Sequence, residues 1–121
     1  MREILVDSSA IIAVIDKPNA SLAKALSDAI PAMSVISYAE VARFYLRKLR
    51  NEEWAQIKAK LGQIRIIALD AETCEIAALE SKKHGFAMAD SLIYASALKN
   101  GLPLLTCDAD FKGKKDVVYV K

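Results

Sequence analysis

The chain has 121 residues, 54% of them hydrophobic, with 17 lysines and arginines against 15 acidic residues for a net charge of +2. That length supports one hydrophobic core, so a single domain over residues 1–121 is expected, and the apolar content excludes a disordered chain. The small charge excludes a nucleic-acid binder that works through net charge alone, so any basic surface has to be local.

The first strand is predicted at Glu3 to Val6, directly after Arg2. This start lacks the basic, apolar and small-residue order of a signal peptide, and a cytosolic protein is expected. A helix follows over Ser9 to Ile15, closed by Pro18. It contains the longest uninterrupted apolar run, Ala10 to Ile15, which at six residues falls far short of the roughly 20 of a membrane span. Next come a helix over Ala20 to Ala29, Pro31 ahead of a strand at Met33 to Ile36, and helices over Tyr38 to Leu49 and Glu52 to Leu61. A strand at Arg65 to Leu69 leads to a helix over Ala71 to His84, whose basic end meets Gly85. The last helix, Ala87 to Lys99, stops before Gly101, and strands follow at Leu104 to Thr106 and Val117 to Val120. Strands alternating with helices predict an α/β fold with a largely parallel sheet, and coverage on both faces explains the apolar strands. Cys74 and Cys107 stand far apart, which fits buried reduced thiols better than a disulfide or a zinc site.

In open α/β sheets ligands gather outside the carboxyl ends of the strands. The polar residues that this parsing places there are acidic: Asp7 after the first strand, Glu40 after the second, Asp90 at a helix start, Asp108 after Leu104 to Thr106, and Asp110 two residues on. Each has an ordinary explanation. Asp7 suits a helix cap, Ser37 and Glu40 a capping box, Asp90 the positive end of a helix, and Asp108 a turn.

Asp90 strains its ordinary reading most. At about 100° per residue it shares a face with Ile93, Tyr94 and Ala97, and no basic residue stands three or four positions away. A carboxylate in apolar company needs a partner from elsewhere. If Asp7, Glu40 and Asp108 converge on it, neighbours about 5 Å apart repel by about 3 kcal/mol at an effective dielectric of about 20, so a bound cation is required. Oxygen ligands select a hard ion such as Mg²⁺ or Mn²⁺ rather than Zn²⁺. Such ions lower the pKa of a water and stabilise a leaving oxygen, which is the chemistry of phosphodiester hydrolysis.

Four stretches, Leu5-Val6-Asp7-Ser8-Ser9, Ser34 to Glu40, Met88-Ala89-Asp90-Ser91-Leu92-Ile93 and Leu105 to Phe111, together resemble the PIN-domain ribonucleases, in particular the VapC toxins of prokaryotic toxin–antitoxin pairs. The resemblance spans almost the whole chain. It implies a PIN-like three-layer α/β/α fold with a central, mostly parallel sheet of four to five strands. It also implies that Asp7, Glu40, Asp90 and Asp108 are catalytic and metal-binding acids, with Asp110 auxiliary and Ser9 and Thr106 as hydroxyls near the site. An Mg²⁺- or Mn²⁺-dependent endoribonuclease, a homodimer and a VapB-type antitoxin partner are the further implications. The rivals are a PIN-type RNA-processing nuclease without antitoxin and a non-catalytic homodimeric binding module.

Arg43, Arg47 and Arg50 are expected to form one helical stripe beside Glu40, able to hold RNA phosphates, with Val41, Phe44, Tyr45 and Leu49 turned away. Lys112, Lys114 and Lys115 read as a solvated cluster. His84, the only histidine, reads as a helix-end residue with no acid beside it, and Trp54 as a packing aromatic.

Overall fold

Strands β1 (Arg2–Val6), β2 (Ala29–Ser34), β3 (Arg65–Ile67), β4 (Leu104–Thr106) and β5 (Val117–Tyr119) form one wholly parallel sheet in the order β3-β2-β1-β4-β5. The structure is a computed structural model and describes residues 1–121. Six helices accompany the sheet: α1 (Ser8–Asp16), α2 (Ala20–Ser27), α3 (Val35–Arg47), α4 (Asn51–Leu61), α5 (Ala71–His84) and α6 (Met88–Asn100). Parallel neighbours need a crossover, and helices supply it everywhere except between β4 and β5. There a 3₁₀ turn at Ala109–Phe111 carries the chain across, with Gly113 and Asp116 in left-handed conformations to turn it back.

The two-residue period of β1 divides the core. Ile4 and Val6 face Ala10, Ile11, Leu22, Val41, Tyr45, Ile57 and Leu61, so α1 to α4 cover one face of the sheet. Leu5 faces the other way, into a cluster with Ile93, Tyr94, Ala97, Leu104 and Phe111, so α6 covers the second face and α5 packs on α6. The result is the three-layer α/β/α arrangement expected, with five parallel strands. Leu5, Leu104, Leu105 and Phe111 have 0% exposure. Burying a side chain of this kind contributes about 1.5–3 kcal/mol.

Three local departures from the sequence reading matter for the site. Pro31 lies inside β2 rather than before it, paired in register with Ile4. Pairing with β3 begins only at Ala32, so the missing proline N–H falls where β2 has no neighbour on that side. Helix α3 starts at Val35, not Tyr38, because Ser34 is its cap and accepts a hydrogen bond from the Ser37 amide (3.1 Å). The same helix ends at Arg47, since Leu49 adopts a left-handed φ of 56° and breaks the turn.

The sheet grows from β1 outward to β2 and β3 on one side and to β4 and β5 on the other. The direction of growth reverses between β1 and β4, which makes their carboxyl ends the place where an open parallel sheet leaves a crevice.

Candidate active site

Asp7 follows β1 at that crevice and is buried. It caps α1, as its ordinary reading expects: Oδ1 accepts from the Ala10 amide (3.0 Å) and from Ser9 Oγ (2.6 Å). Oδ2 accepts from Thr106 Oγ1 (2.6 Å), reaching from the end of β4. Each hydroxyl has one proton and donates it to Asp7, so each oxygen is left to accept. Ser9 accepts from the Cys107 amide (3.0 Å) and Thr106 from the Asp108 amide (2.9 Å). One buried carboxylate thereby organises the backbone after β4. Burial pushes the Asp7 carboxyl above the usual carboxylate range, and its hydroxyl and amide donors oppose that rise.

Asp108, positioned by this network, caps the 3₁₀ turn by accepting from the Asp110 amide (2.9 Å). Asp90 enters from the first turn of α6, whose cap residue Ala87 offers no side-chain acceptor. Asp90, Asp108 and Asp110 each present a carboxylate oxygen within 4.8 Å of the others. Asp110, read as auxiliary from the sequence, thus stands in the tightest group, while Asp7 and Glu40 flank it. The Asp90 carboxyl is raised to about 6, first by burial and then by repulsion from Asp108, Glu40, Asp110 and Asp7. None of the protein's ion pairs involves any of these five acids. An all-oxygen donor set with uncompensated negative charge fits a hard divalent cation, and the residues present therefore suit Mg²⁺ or Mn²⁺.

Glu40 lies in the second turn of α3 and makes no capping box, since the helix begins five residues before it. Its Oε1 accepts from Ser8 Oγ (2.9 Å). Beside it opens a cavity of about 480 Å³ lined by Ser8, Ile12, Glu40, Arg43, Phe44, Arg47 and Lys48.

The cations divide differently from the expected stripe. Arg43 and Arg47 border Glu40, but Arg50 does not, because α3 has already ended. Arg50 instead holds Asp16 through both oxygens (2.8 and 3.1 Å), pairs with Glu53 and lies over the Tyr45 ring. Its place is taken by Lys48, which the sequence reading missed although it stands four residues after Phe44 and lies 4.7 Å from that ring. Ser8 was missed as well; its signal was adjacency to Asp7. Phe44 also lines this cavity, contrary to its expected outward turn.

Elsewhere, Lys112 and Lys114 sit near the rings of Tyr119 and Phe86. His84 does have an acid beside it, Glu80 at 3.4 Å one turn back, and its ring packs against Phe86 and Tyr94. Trp54 packs edge-on against Tyr38. Cys107 is partly buried, with burial raising its thiol, but Cys74 is exposed on α5 rather than buried. A second cleft of about 380 Å³, walled mainly by apolar residues such as Ile11, Val14, Ile15 and Ile57, includes Glu53 but none of Asp7, Glu40, Asp90, Asp108 and Asp110. No helix is long and apolar enough to cross a membrane.

Comparison with known proteins bears on this geometry. The family model described as PIN domain matches residues 4–116. Among solved structures, the chain is similar to a toxin–antitoxin complex from Klebsiella pneumoniae, with 22% identity, a TM-score of 0.83 and 96% of each chain covered. It is similar to FitAcB from Neisseria gonorrhoeae, with 25% identity, a TM-score of 0.76 and coverage of 98% of this chain and 96% of that one. VapC20 from Mycobacterium tuberculosis, described as a sarcin-ricin loop cleaving toxin, shares 19% identity at a TM-score of 0.78, over 98% of this chain and 99% of that one. No curated protein sequence matches the chain.

Proposed function

The chain belongs to the PIN-domain family, and on that premise we propose that it is a divalent-cation-dependent endoribonuclease, the toxin of a type II toxin–antitoxin pair. The observation that carries this reading is the group of Asp90, Asp108 and Asp110, with oxygens within 4.8 Å of one another and no protein cation to neutralise them. In this reading these three hold Mg²⁺ or Mn²⁺, with Asp7 and Glu40 completing the acidic centre. When bound, the ion supplies a lowered pKa to a water and charge neutralisation at the phosphate. The protein's own residues do the positioning. Ser9 and Thr106 lock Asp7 and the Asp108 backbone, Ser8 orients Glu40, and Arg43 and Arg47 take phosphates of the RNA. No side chain has to act as nucleophile.

The toxin role and an antitoxin partner are supported by likeness to the Klebsiella toxin–antitoxin complex and to VapC20 over nearly the full length of each chain. That the partner is of VapB type and the chain a homodimer belongs to this proposal and follows from the family resemblance.

The test is cleavage of a mixed RNA pool by protein freed of any copurified partner, with Mg²⁺, Mn²⁺ or EDTA, beside Asp7→Asn and Asp90→Asn. Cleavage that needs the metal and is lost in both variants supports the reading. Equal cleavage by parent and variants, or neither cleavage nor divalent-ion binding by calorimetry, overturns it.

A further inference from the structure

The cavity beside Glu40 combines features that the acidic centre does not explain. Arg43, Arg47 and Lys48 all line it, yet none makes an ion pair or donates a side-chain hydrogen bond within the protein. The contrast with Arg50, two residues further along the chain from Lys48, is direct: Arg50 is saturated by Asp16 and Glu53. Glu40, the one carboxylate in the cavity, is held by Ser8 rather than by these arginines. Two arginines without a partner in the protein, with Lys48 held only by the Phe44 ring beside them, make this concavity a receptor for an anion.

The remaining walls are apolar. Ile12 and the Phe44 ring line the same space, and the exposed Lys48 lies with its ammonium 4.7 Å from that ring. A volume of about 480 Å³ falls within the range of small-ligand sites. Cations beside an aromatic wall are the combination that takes a phosphate and an unstacked base together, whereas a duplex would keep its bases away from such a wall.

We propose that this cavity is a subsite for one unpaired nucleotide, its phosphates held by Arg43, Arg47 and Lys48 and its base set against Ile12 and Phe44. Resting on the nuclease reading, it places that nucleotide next to the scissile phosphate, because Glu40 belongs both to the cavity and to the acidic centre. Ser8, which fixes Glu40, then stands at the junction between strand binding and cleavage.

The experiment is calorimetric titration of the partner-free protein, in EDTA, with uridine 3′,5′-bisphosphate, adenosine 3′,5′-bisphosphate, inorganic pyrophosphate and a hexaglutamate peptide. The bisphosphates are expected to bind more tightly than pyrophosphate or the peptide. Arg43→Gln and Arg47→Gln are expected to weaken them by about tenfold each, the value of one charge-assisted hydrogen bond. Phe44→Met, which keeps the volume, is expected to weaken the bisphosphates and leave pyrophosphate unchanged. Pyrophosphate or hexaglutamate binding as tightly as the bisphosphates overturns the proposal, as does bisphosphate binding indifferent to both arginines, which are exposed and outside the core. Because no metal or cleavage is involved, the two readings separate. Metal-dependent cleavage without bisphosphate binding sinks the subsite alone, and bisphosphate binding with neither cleavage nor divalent-ion binding sinks the nuclease alone.

Discussion

Thr106 carries more of the site than its size indicates. It is fully buried, donates to Asp7 and accepts from the Asp108 amide, so Thr106→Val strands one carboxylate oxygen and one N–H at once. Unsatisfied buried groups cost about 1–3 kcal/mol each, so the variant should lose about 2–6 kcal/mol in urea unfolding, while Thr106→Ser, which keeps both bonds, should lose far less. A comparable loss in both variants would show that packing of the methyl group, not the hydroxyl, is what matters. Asp90 gives the opposite sign. Its carboxyl is raised from 3.8 to about 6, so without metal the folded state binds the proton more tightly than the unfolded chain. That contribution is fully present below the unfolded pKa of 3.8 and disappears as pH rises through about 6. Asp90→Asn removes the penalty of ionisation. In EDTA at pH 7.5 it should be more stable than the parent by about 1 kcal/mol, allowing for the partial exposure of the group, and the advantage should shrink at pH 4. A variant less stable than the parent at pH 7.5 would contradict the repulsion.

At the scale of elements, what the sequence reveals depends on whether a signal is local. Both bounds of helix α5 are legible in the sequence because its basic end and Gly85, with φ 74°, are local punctuation. Helix α3 departs from its sequence expectation at both ends. Val35 and Ile36 read as strand by composition, but Ser34 caps the chain into helix before them, and Leu49 carries no sequence mark for its left-handed turn. That turn is what takes Arg50 out of the stripe of Arg43 and Arg47. In the folded chain Arg50 joins the end of α1 to α3 and α4: it holds Asp16, which also accepts from Tyr45 Oη (3.0 Å), and it lies 4.7 Å from the Tyr45 ring. Burial, then the bond to Asp16, raises the Tyr45 hydroxyl to about 12, so this clamp keeps its proton at any physiological pH. Arg50→Gln should therefore lower the melting temperature by a few degrees and leave RNA cleavage intact. Arg47→Gln should do the reverse, raising KM with little change in melting temperature. Measuring both quantities for both variants decides it, and a cleavage defect confined to Arg50→Gln would restore the unbroken stripe.

For the whole molecule, the acids could be read from the sequence because residues that follow parallel strands collect at one edge of a sheet. Their grouping could not. Asp108 and Asp110 come from the end of β4 and Asp90 from a helix start on the covered face, so the closeness of their oxygens depends on how α6 packs through Ile93, Tyr94 and Ala97. The fold thus brings negative charge together, and its core packing supplies the free energy to hold it there. A divalent ion that binds only the folded state should return that energy as stability, by about 2.7 kcal/mol when its concentration is about 100 times its dissociation constant. The melting temperature should rise with added Mn²⁺ at pH 7.5. The rise should diminish toward pH 5, where protons on Asp90, with its carboxyl at about 6, compete with the ion. Asp90→Asn should flatten the response at both pH values, whereas Arg50→Gln, lying outside the acidic centre, should melt lower throughout and keep the full increment. An Mn²⁺-induced rise of equal size in the parent and in Asp90→Asn would mean that the ion binds elsewhere and that the three aspartates are not its site.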